Sequence, residues 1–323
     1  MESKLFLGPM SKNIVDAAIE FNNETDVPIT FIPSRRQVDY DGGYVNGWTT
    51  ETFQDYVDDS CIQIERDHGG KYQGKENNNW WRDDYISYAY DCEFFDMIHI
   101  DPWKGAGKGD KFFDIGIDIT INDIRACHAM DSFVKFEVGT EEALYPMTPV
   151  MLNYMMERLY KDLPLDIYEK IVYIVIQSGT SLEGTRNIGK YSEARLKEMI
   201  LVAKKWGKKT KEHNGDYLPV SQIHDKFALG LDAINIAPEL GVIETDCYLN
   251  NNIDLLKFND ICYKSGKWKK WVKDDTEISL KDRIRICGHY VFSTPEFQDI
   301  KPQGYDEEVK DRIKTKLKEL SGV

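Results

Sequence analysis

A chain of 323 residues is long enough for one large barrel-type domain or two modest ones, and its 41% hydrophobic and 30% charged residues allow a sizeable core under a soluble surface. A net charge of −14 and a pI of about 5.0 exclude nucleic acid or a membrane surface as partners held by general electrostatics, although a local basic patch can still take a small anion. The six cysteines are dispersed with no CxxC, the start "MESKLFLGPM" has no secretory pattern, and no apolar run reaches membrane-spanning length, so a cytoplasmic protein with reduced thiols is expected.

Short apolar runs alternate with amphipathic stretches along the chain. The run "KLFLGP" precedes a helical pattern, "SKNIVDAAIEFNN". Next, "ITFIP" ends in Ser34, Arg35, Arg36 and Gln37, and Thr49 or Thr50 then starts "TTETFQDYVDDS". The stretch "IQIERDHGG" is the most telling, because a strand that reads as buried finishes in Asp67 and His68, costly to bury and useful at a rim. Trp80 and Trp81 follow in "KENNNWWRDDY", read as a hydrophobic plug or a sugar-stacking platform. "MIHID" brings His99 and Asp101, and "FVKFEVG" brings Glu137, then Thr140, Glu141 and Glu142, the two glutamates fitting a helix N-terminus equally well. "IVYIVIQSG" ends in Gln177 and Ser178, with Glu183 further on, and Ser192 starts the helical "EARLKEMILVAKKWG". "KKTKEH" ends in His213, Asn214 and Asp216, the last a turn residue or part of a site. After the helical "SQIHDKFALG", "DAINIAP" supplies Asn235 and Glu239.

Eight repeats of strand then helix over roughly 250 residues predict an α/β chain with a (β/α)8 TIM barrel. A doubly wound open sheet is the alternative, but no GxGxxG follows the first strand. Residues 1–250 are expected to form the barrel, and residues 251–323, basic and tryptophan-rich at "SGKWKKWVKDD", a helical extension packed on it.

In such a barrel the C-terminal strand ends form the active-site rim. Three of the six histidines fall there, while His128 and His224 lie in helical patterns and read as structural. Imidazoles and carboxylates from separate strands suit a divalent metal, zinc first, with manganese, cobalt or nickel admitted. The expected ligands are His68, Glu137 and His213, with Asp67 beside them as general acid or base and Glu142 as a second proton carrier. Arg35, Arg36, Gln37, His99, Asp101, Gln177, Asn214 and Asn235 are expected around the substrate.

These residues, with the ordered stretches "RRQVDYDGGYVNGWTTETFQDYV", "ERDHGG", "FDMIHID", "EVGTEE", "IVIQSGT", "KEHNGDYLP", "AINIAPELGVIET" and "SLKDRIRICGHY", resemble the Z-type subunit of class II tagatose-bisphosphate aldolase and the related metal-dependent sugar 4-epimerases. The resemblance runs along most of the chain. It implies that Asp67 and His68 are the aldolases' proton-donor and zinc-ligand pair, that Glu137 is the glutamate after the fifth strand, and that His213 is the late zinc histidine. Gln37, Asp101 and Asn235 would lie near the substrate. Two departures stand out. "QSGTSLEGTRN" lacks the sixth-strand histidine ligand, for which Glu183 is the available substitute, and "HNGDYLP" replaces the glycine-serine phosphate loop, leaving Arg35, Arg36, Arg283 and Arg285 as anion partners. The implied activity is retro-aldol chemistry on a ketose or ketose phosphate, as an aldolase or a C4 epimerase. The alternatives are a non-catalytic subunit that stabilises a separate class II aldolase, or a metal-dependent sugar isomerase. The chain itself would then be a homo-oligomer or the partner of such an aldolase.

Overall fold

The computed structural model describes residues 2–70, 72–74, 80–107, 109, 111–272 and 278–323. Trp80 and Trp81 open the helix Trp80–Phe94, but their side chains, and with them the plug and platform readings, lie outside the described part.

Among the described residues ten strands occur in chain order: β1 (Leu5–Leu7), β2 (Ile29–Phe31), β3 (Gln63–Gly69), β4 (Met97–Ile100), β5 (Lys135–Val138), β6 (Ile171–Ile176), β7 (Leu182–Glu183), β8 (Arg186–Asn187), β9 (Lys209–Glu212) and β10 (Ala233–Ile236). Eight of them close a parallel barrel in the order β1-β10-β9-β6-β5-β4-β3-β2. Each of the eight expected runs supplies one barrel strand, so the TIM barrel holds. The remaining pair, β7 and β8, forms a small antiparallel hairpin after β6. Two-residue strands carry no periodicity that a sequence shows.

The strands are rich in Val, Ile and Phe because both faces are covered. Alternate residues face the helices or the barrel axis. Ile64, Ile98, Phe136, Ile174 and Ile234 belong to the outer core, whereas Phe6, Ile32, Met97, Tyr173 and Ala233 form a separate cluster inside the barrel. The same period-2 parity places His99 two residues beyond Met97 and Asn235 two beyond Ala233, one layer higher, toward the mouth.

Helix starts follow the sequence signals. Ser11 Oγ accepts from Ile14 N, Thr49 makes a reciprocal capping box with Thr52, and Ser192 Oγ accepts from Arg195 N. The last helix, Asp306–Ser321, buries Val309, Ile313, Leu317 and Leu320 and packs against the helices Lys12–Thr25 and Pro238–Asn250. Each such side chain contributes about 1.5–3 kcal/mol. Lys310 adds an ion pair to Glu20 at 2.6 Å, so the end of the chain is tied to its first helix. The six cysteines are free thiols, and among the described residues no helix is long and apolar enough to cross a membrane.

Candidate metal centre and active-site cleft

The end of β3 builds the site. β3 pairs with β4 at Arg66↔Ile98 and next at Gly69↔Ile100, so β3 carries one extra residue between the two pairings. This is a bulge, which re-aims side chains at a barrel rim. His68 is held at φ 49°, a left-handed conformation uncommon for a residue with a Cβ. The two glycines that follow are required by crowding. A Cβ on Gly69 would sit 3.0 Å from the His99 carbonyl oxygen, and one on Gly70 2.9 Å from the Tyr88 hydroxyl. "ERDHGG" is therefore a strand end bent to present Asp67 and His68 together.

Four residues from three strand ends meet there. Asp67, His68, His99 and His213 each offer one ligand atom, and these atoms lie within 4.8 Å of one another. The three imidazoles form a near-equilateral triangle, with centroids 5.2 Å apart for His68–His99, 5.2 Å for His68–His213 and 4.9 Å for His99–His213. Each ring is fixed by a neighbour. His68 Nδ1 donates to Asp101 Oδ2 at 2.6 Å, His99 Nε2 donates to the Gly139 carbonyl at 3.1 Å, and His213 Nε2 donates to Glu137 Oε1 at 3.2 Å. His99 Nδ1 also accepts from the His68 backbone amide at 3.3 Å, and the ring nitrogens not turned to these partners are the ones that could serve a metal.

The acids and imidazoles of the cluster hold one another's charge. Burial pulls the His68 pKa down, but Asp67 and Asp101 outweigh it and push it up to about 10. Burial likewise opposes the charge on Asp67, yet His68, His99 and His213 hold its carboxyl well below the usual range. His213, lowered by burial, is a neutral imidazole. Asp67 Oδ1 and Asp101 Oδ1 are buried without a hydrogen-bond partner among the described residues. Three imidazoles, a carboxylate and an unsatisfied carboxylate oxygen fit a divalent ion of the zinc, manganese, cobalt or nickel kind.

The ligand set differs from the expected one at Glu137, which lies outside the cluster. It is held in the barrel interior by Lys211, which also reaches Glu65 at 2.6 Å, and all three are fully buried. Burial opposes the charge on Glu137, but Lys211 and then His99 hold its pKa well down, so Glu137 is an anion already matched to a cation and orienting His213. His99, expected at the substrate, takes its place in the cluster. Strand parity carried the signal for both. His99 and Asp101 share a face in "MIHID", and Lys211 shares a face with His213 in "KKTKEH", which marks an internal counter-charge for Glu137.

A cleft of about 230 Å³ opens beside the cluster, lined among others by Met10, Arg36, Gln37, Asp67, His68, Glu141, His213, Asn214, Asp216 and Asn235. A larger hollow of about 930 Å³ lies at the opposite, N-terminal end of the barrel, where His224 caps the carbonyls of Glu319 and Leu320 and no cluster of ligating side chains occurs among the described residues. The cleft beside the histidines is the chemical one.

Other expected site residues divide into three groups. Arg36, Gln37, Asn214 and Asn235 line the cleft, and Asn235 Oδ1 is buried without a partner among the described residues. Asp101 stands behind His68, and Gln177 bonds the carbonyls of Thr140 and Tyr145 and the amide of Met147, a scaffold role. Glu142 borders a small adjoining recess and pairs with Arg195 at 2.9 Å.

The remaining arginines do not reach the cleft. Arg35 is buried against Asp39 at 3.0 Å and against Asp84, its charge spent inside the fold. Arg283 donates to Asn259 at 2.7 Å and Arg285 to Asp246 at 2.7 Å, both away from the cleft lining.

Glu141 and Glu142 lie in a turn rather than at a helix start, and the next helix begins at Pro149. Asp216 does double duty. It lines the cleft, and its Oδ1 accepts from the amides of Ala237 and Glu239 at the start of the helix Pro238–Asn250. Tyr44, Lys270, Trp271 and Tyr290 complete the cleft and were not anticipated as site residues. Tyr44 and Tyr290 lie in the stretches "RRQVDYDGGYVNGWTTETFQDYV" and "SLKDRIRICGHY", and Lys270 and Trp271 in the basic, tryptophan-rich "SGKWKKW".

The fold and site define a (β/α)8 barrel with a histidine–carboxylate centre at its C-terminal mouth. No protein-family model and no curated protein sequence matches the chain. Solved structures do. A protein described as a probable tagatose 6 phosphate kinase, from Sinorhizobium meliloti 1021, is 16% identical with a TM-score of 0.76, over 100% of this chain and 88% of that one. The fructose-bisphosphate aldolase of Campylobacter jejuni is 13% identical with a TM-score of 0.58, over 99% of this chain and 90% of that one. A fructuronate-tagaturonate epimerase of Cohnella laeviribosi is 12% identical with a TM-score of 0.61, over 99% of this chain and 78% of that one. At these identities the likeness is one of fold.

Proposed function

We propose that the chain is a metal-dependent enzyme of aldol chemistry, acting on a ketose or ketose phosphate as an aldolase or a C4 epimerase. The observation that carries this reading is the convergence of Asp67, His68, His99 and His213, with ligand atoms within 4.8 Å, at the mouth of the barrel. Sharing a fold with an aldolase and an epimerase agrees with it.

The three histidines would hold the ion, with Asp67 beside it, and a bound divalent ion would supply Lewis acidity to a ketone and its neighbouring hydroxyl. The side chains do the rest. Asp101 and Glu137 fix the rings of His68 and His213. Asp67, kept ionised by the surrounding imidazoles, is the base that takes a hydroxyl proton during carbon–carbon cleavage and returns it on re-addition. Asn235 Oδ1 and the Gln37 side chain line the cleft as partners for substrate hydroxyls. An epimerase would retain the aldehyde fragment and re-add it on its other face, whereas an aldolase would release it.

Metal analysis of the purified protein, followed by chelation and reconstitution, is the first test. About one divalent ion per chain is expected, with retro-aldol or epimerase turnover lost on chelation and regained with zinc, manganese, cobalt or nickel. Turnover indifferent to chelation in a metal-free protein sinks the reading. In an epimerase assay run in deuterated water, retro-aldol chemistry leaves carbon-bound protons unexchanged, and exchange points instead to an enediol isomerase.

A further inference from the structure

Arg66 is an uncommon residue for the buried wall of a barrel. It stands immediately before Asp67 and shares the outward face of β3 with Ile64, its guanidinium fully buried 4.9 Å from the Phe95 ring centroid. Its nitrogens reach two elements. Nε and Nη2 donate to the two carboxylate oxygens of Asp91, on the helix Trp80–Phe94, at 2.9 and 2.6 Å. Nη1 donates to the carbonyls of Pro33 and Val38 at 2.8 and 2.7 Å. Those two carbonyls bracket the loop after β2, whose Arg36 and Gln37 line the cleft. The Pro33 carbonyl also accepts from the Asp67 amide at 3.1 Å, so one oxygen joins Arg66, the β2 loop and the backbone of Asp67.

Arg35 makes the return contact. It leaves the β2 loop, pairs with Asp39 at 3.0 Å and with Asp84, and brings Nη1 to 3.5 Å from the Gly70 carbonyl, beyond His68. Ser87 links the two arginine sites, sharing its hydroxyl between Asp39 at 2.8 Å and Asp91 at 3.4 Å. Each strand end thus grips the other. β3 holds both ends of the β2 loop, and that loop holds the backbone on either side of the left-handed His68.

Stability does not account for this arrangement. Taking a guanidinium and a carboxylate out of water costs several kcal/mol per ion, and apolar residues of similar volume usually hold a fold as well or better. At Asp91 burial outweighs Arg66 and leaves the pKa raised. A forked guanidinium fixes the direction of several oxygens at once, which no apolar side chain does.

We propose that Arg66, with Arg35, is a positioning residue: it locks the Asp67–His68 turn and the β2 loop into one unit and so sets the alignment of the histidine centre against the cleft. This rests on the metal-site reading above. Neither arginine is among the residues lining the cleft, and both act through the backbone they hold.

Two variants of the full-length protein separate a part in the site from a part in the fold. When Arg66→Met is combined with Asp91→Leu both charges go together, so no ion is stranded, and the denaturant midpoint should stay at or above the wild-type value. Arg66→Lys keeps a cation for Asp91 but cannot hold that carboxylate and both carbonyls at once. In each, zinc affinity by equilibrium dialysis should fall about tenfold. The visible absorption of the cobalt-loaded protein, which reports ligand geometry, should also shift from the wild-type spectrum. Wild-type zinc affinity with an unshifted cobalt spectrum, in either variant that folds, overturns the proposal. Failure of both variants to fold overturns it too, because Arg66 would then serve the fold alone. Clamp and function fail separately. A wild type that performs aldol chemistry, with variants that bind zinc equally well, loses only the clamp. Variants with weakened zinc binding, beside a wild type without aldol chemistry, lose only the function proposed above. A wild type that takes up neither ion overturns both.

Discussion

Two charged layers sit one above the other in this barrel, and they are built differently. The lower one, Glu65, Glu137 and Lys211, is fully buried and held together by Lys211, with Glu137 also accepting from His213 above it. Burial and the adjacent Glu137 raise Glu65 well above the ordinary carboxylate range, while Lys211 holds Glu137 well below it. The upper one, Asp67, His68, His99 and His213, opens to a cleft. A buried charge set that balances needs nothing further and serves the fold, whereas one that does not balance is poised for a ligand. The presence of acids and bases in a barrel is thus uninformative until their charges are summed layer by layer.

The sharpest test of the upper layer is Asp67→Asn. With the histidines intact it should retain metal by elemental analysis yet lose about 10²–10⁴-fold in turnover, the usual worth of a positioned proton carrier. Wild-type turnover in this variant would remove Asp67 from the proton-transfer role. The lower layer should respond in stability instead. Lys211→Met strands the Glu137 anion in the barrel interior, and breaking a buried pair costs about 3–5 kcal/mol, read as a drop in denaturant midpoint. A loss below about 1 kcal/mol, the level of an ordinary substitution, would mean that the lower layer is not a balanced unit.

The boundary between the layers can be probed directly. His99→Ala should weaken metal binding by about 100-fold or more, whereas Glu137→Gln, which touches the centre only through His213, should weaken it by about tenfold. Equilibrium dialysis of both variants against zinc checks the ranking. The reverse order would restore Glu137 to the ligand set in place of His99.

The barrel was legible because eight apolar runs, each bounded by a helix start, leave few alternatives, and every run became a strand. The site was legible in outline because polar side chains at successive strand ends have only one common place to meet. His99 joins the cluster and Glu137 stays outside it, a division that a strand end read as a list of residues does not reveal. His99 pairs in register with Glu137, yet His99 lines the centre and Glu137 sits with Lys211 beneath it. Arg35 and Arg36 are adjacent in sequence, but one turns inward to Asp39 and Asp84 and the other lines the cleft, a choice set by acids distant in the chain. Lys270 and Trp271 were the least legible, because their place depends on a hairpin of two-residue strands nearly a hundred positions earlier.

The last expected effect concerns Asp216, which belongs to the cleft and to the fold at once. Burial, reinforced by the Glu239 carboxylate, raises its pKa to about 7, against the opposing pull of the two backbone amides. The folded chain therefore holds a proton that the unfolded chain releases near pH 4. The stabilisation is fully present at low pH, is lost progressively as pH rises toward 7, and changes no further above that value. Asparagine keeps an oxygen for the amides of Ala237 and Glu239 but carries no proton to lose. Asp216→Asn should thus gain on the wild type by about 2 kcal/mol between pH 5 and pH 8, and because every other titrating group is shared, the difference isolates this carboxyl. Melting temperatures of the two proteins across that range should diverge by a few degrees as pH rises. A constant gap would mean that Asp216 is ionised throughout, a further charged acid in the cleft.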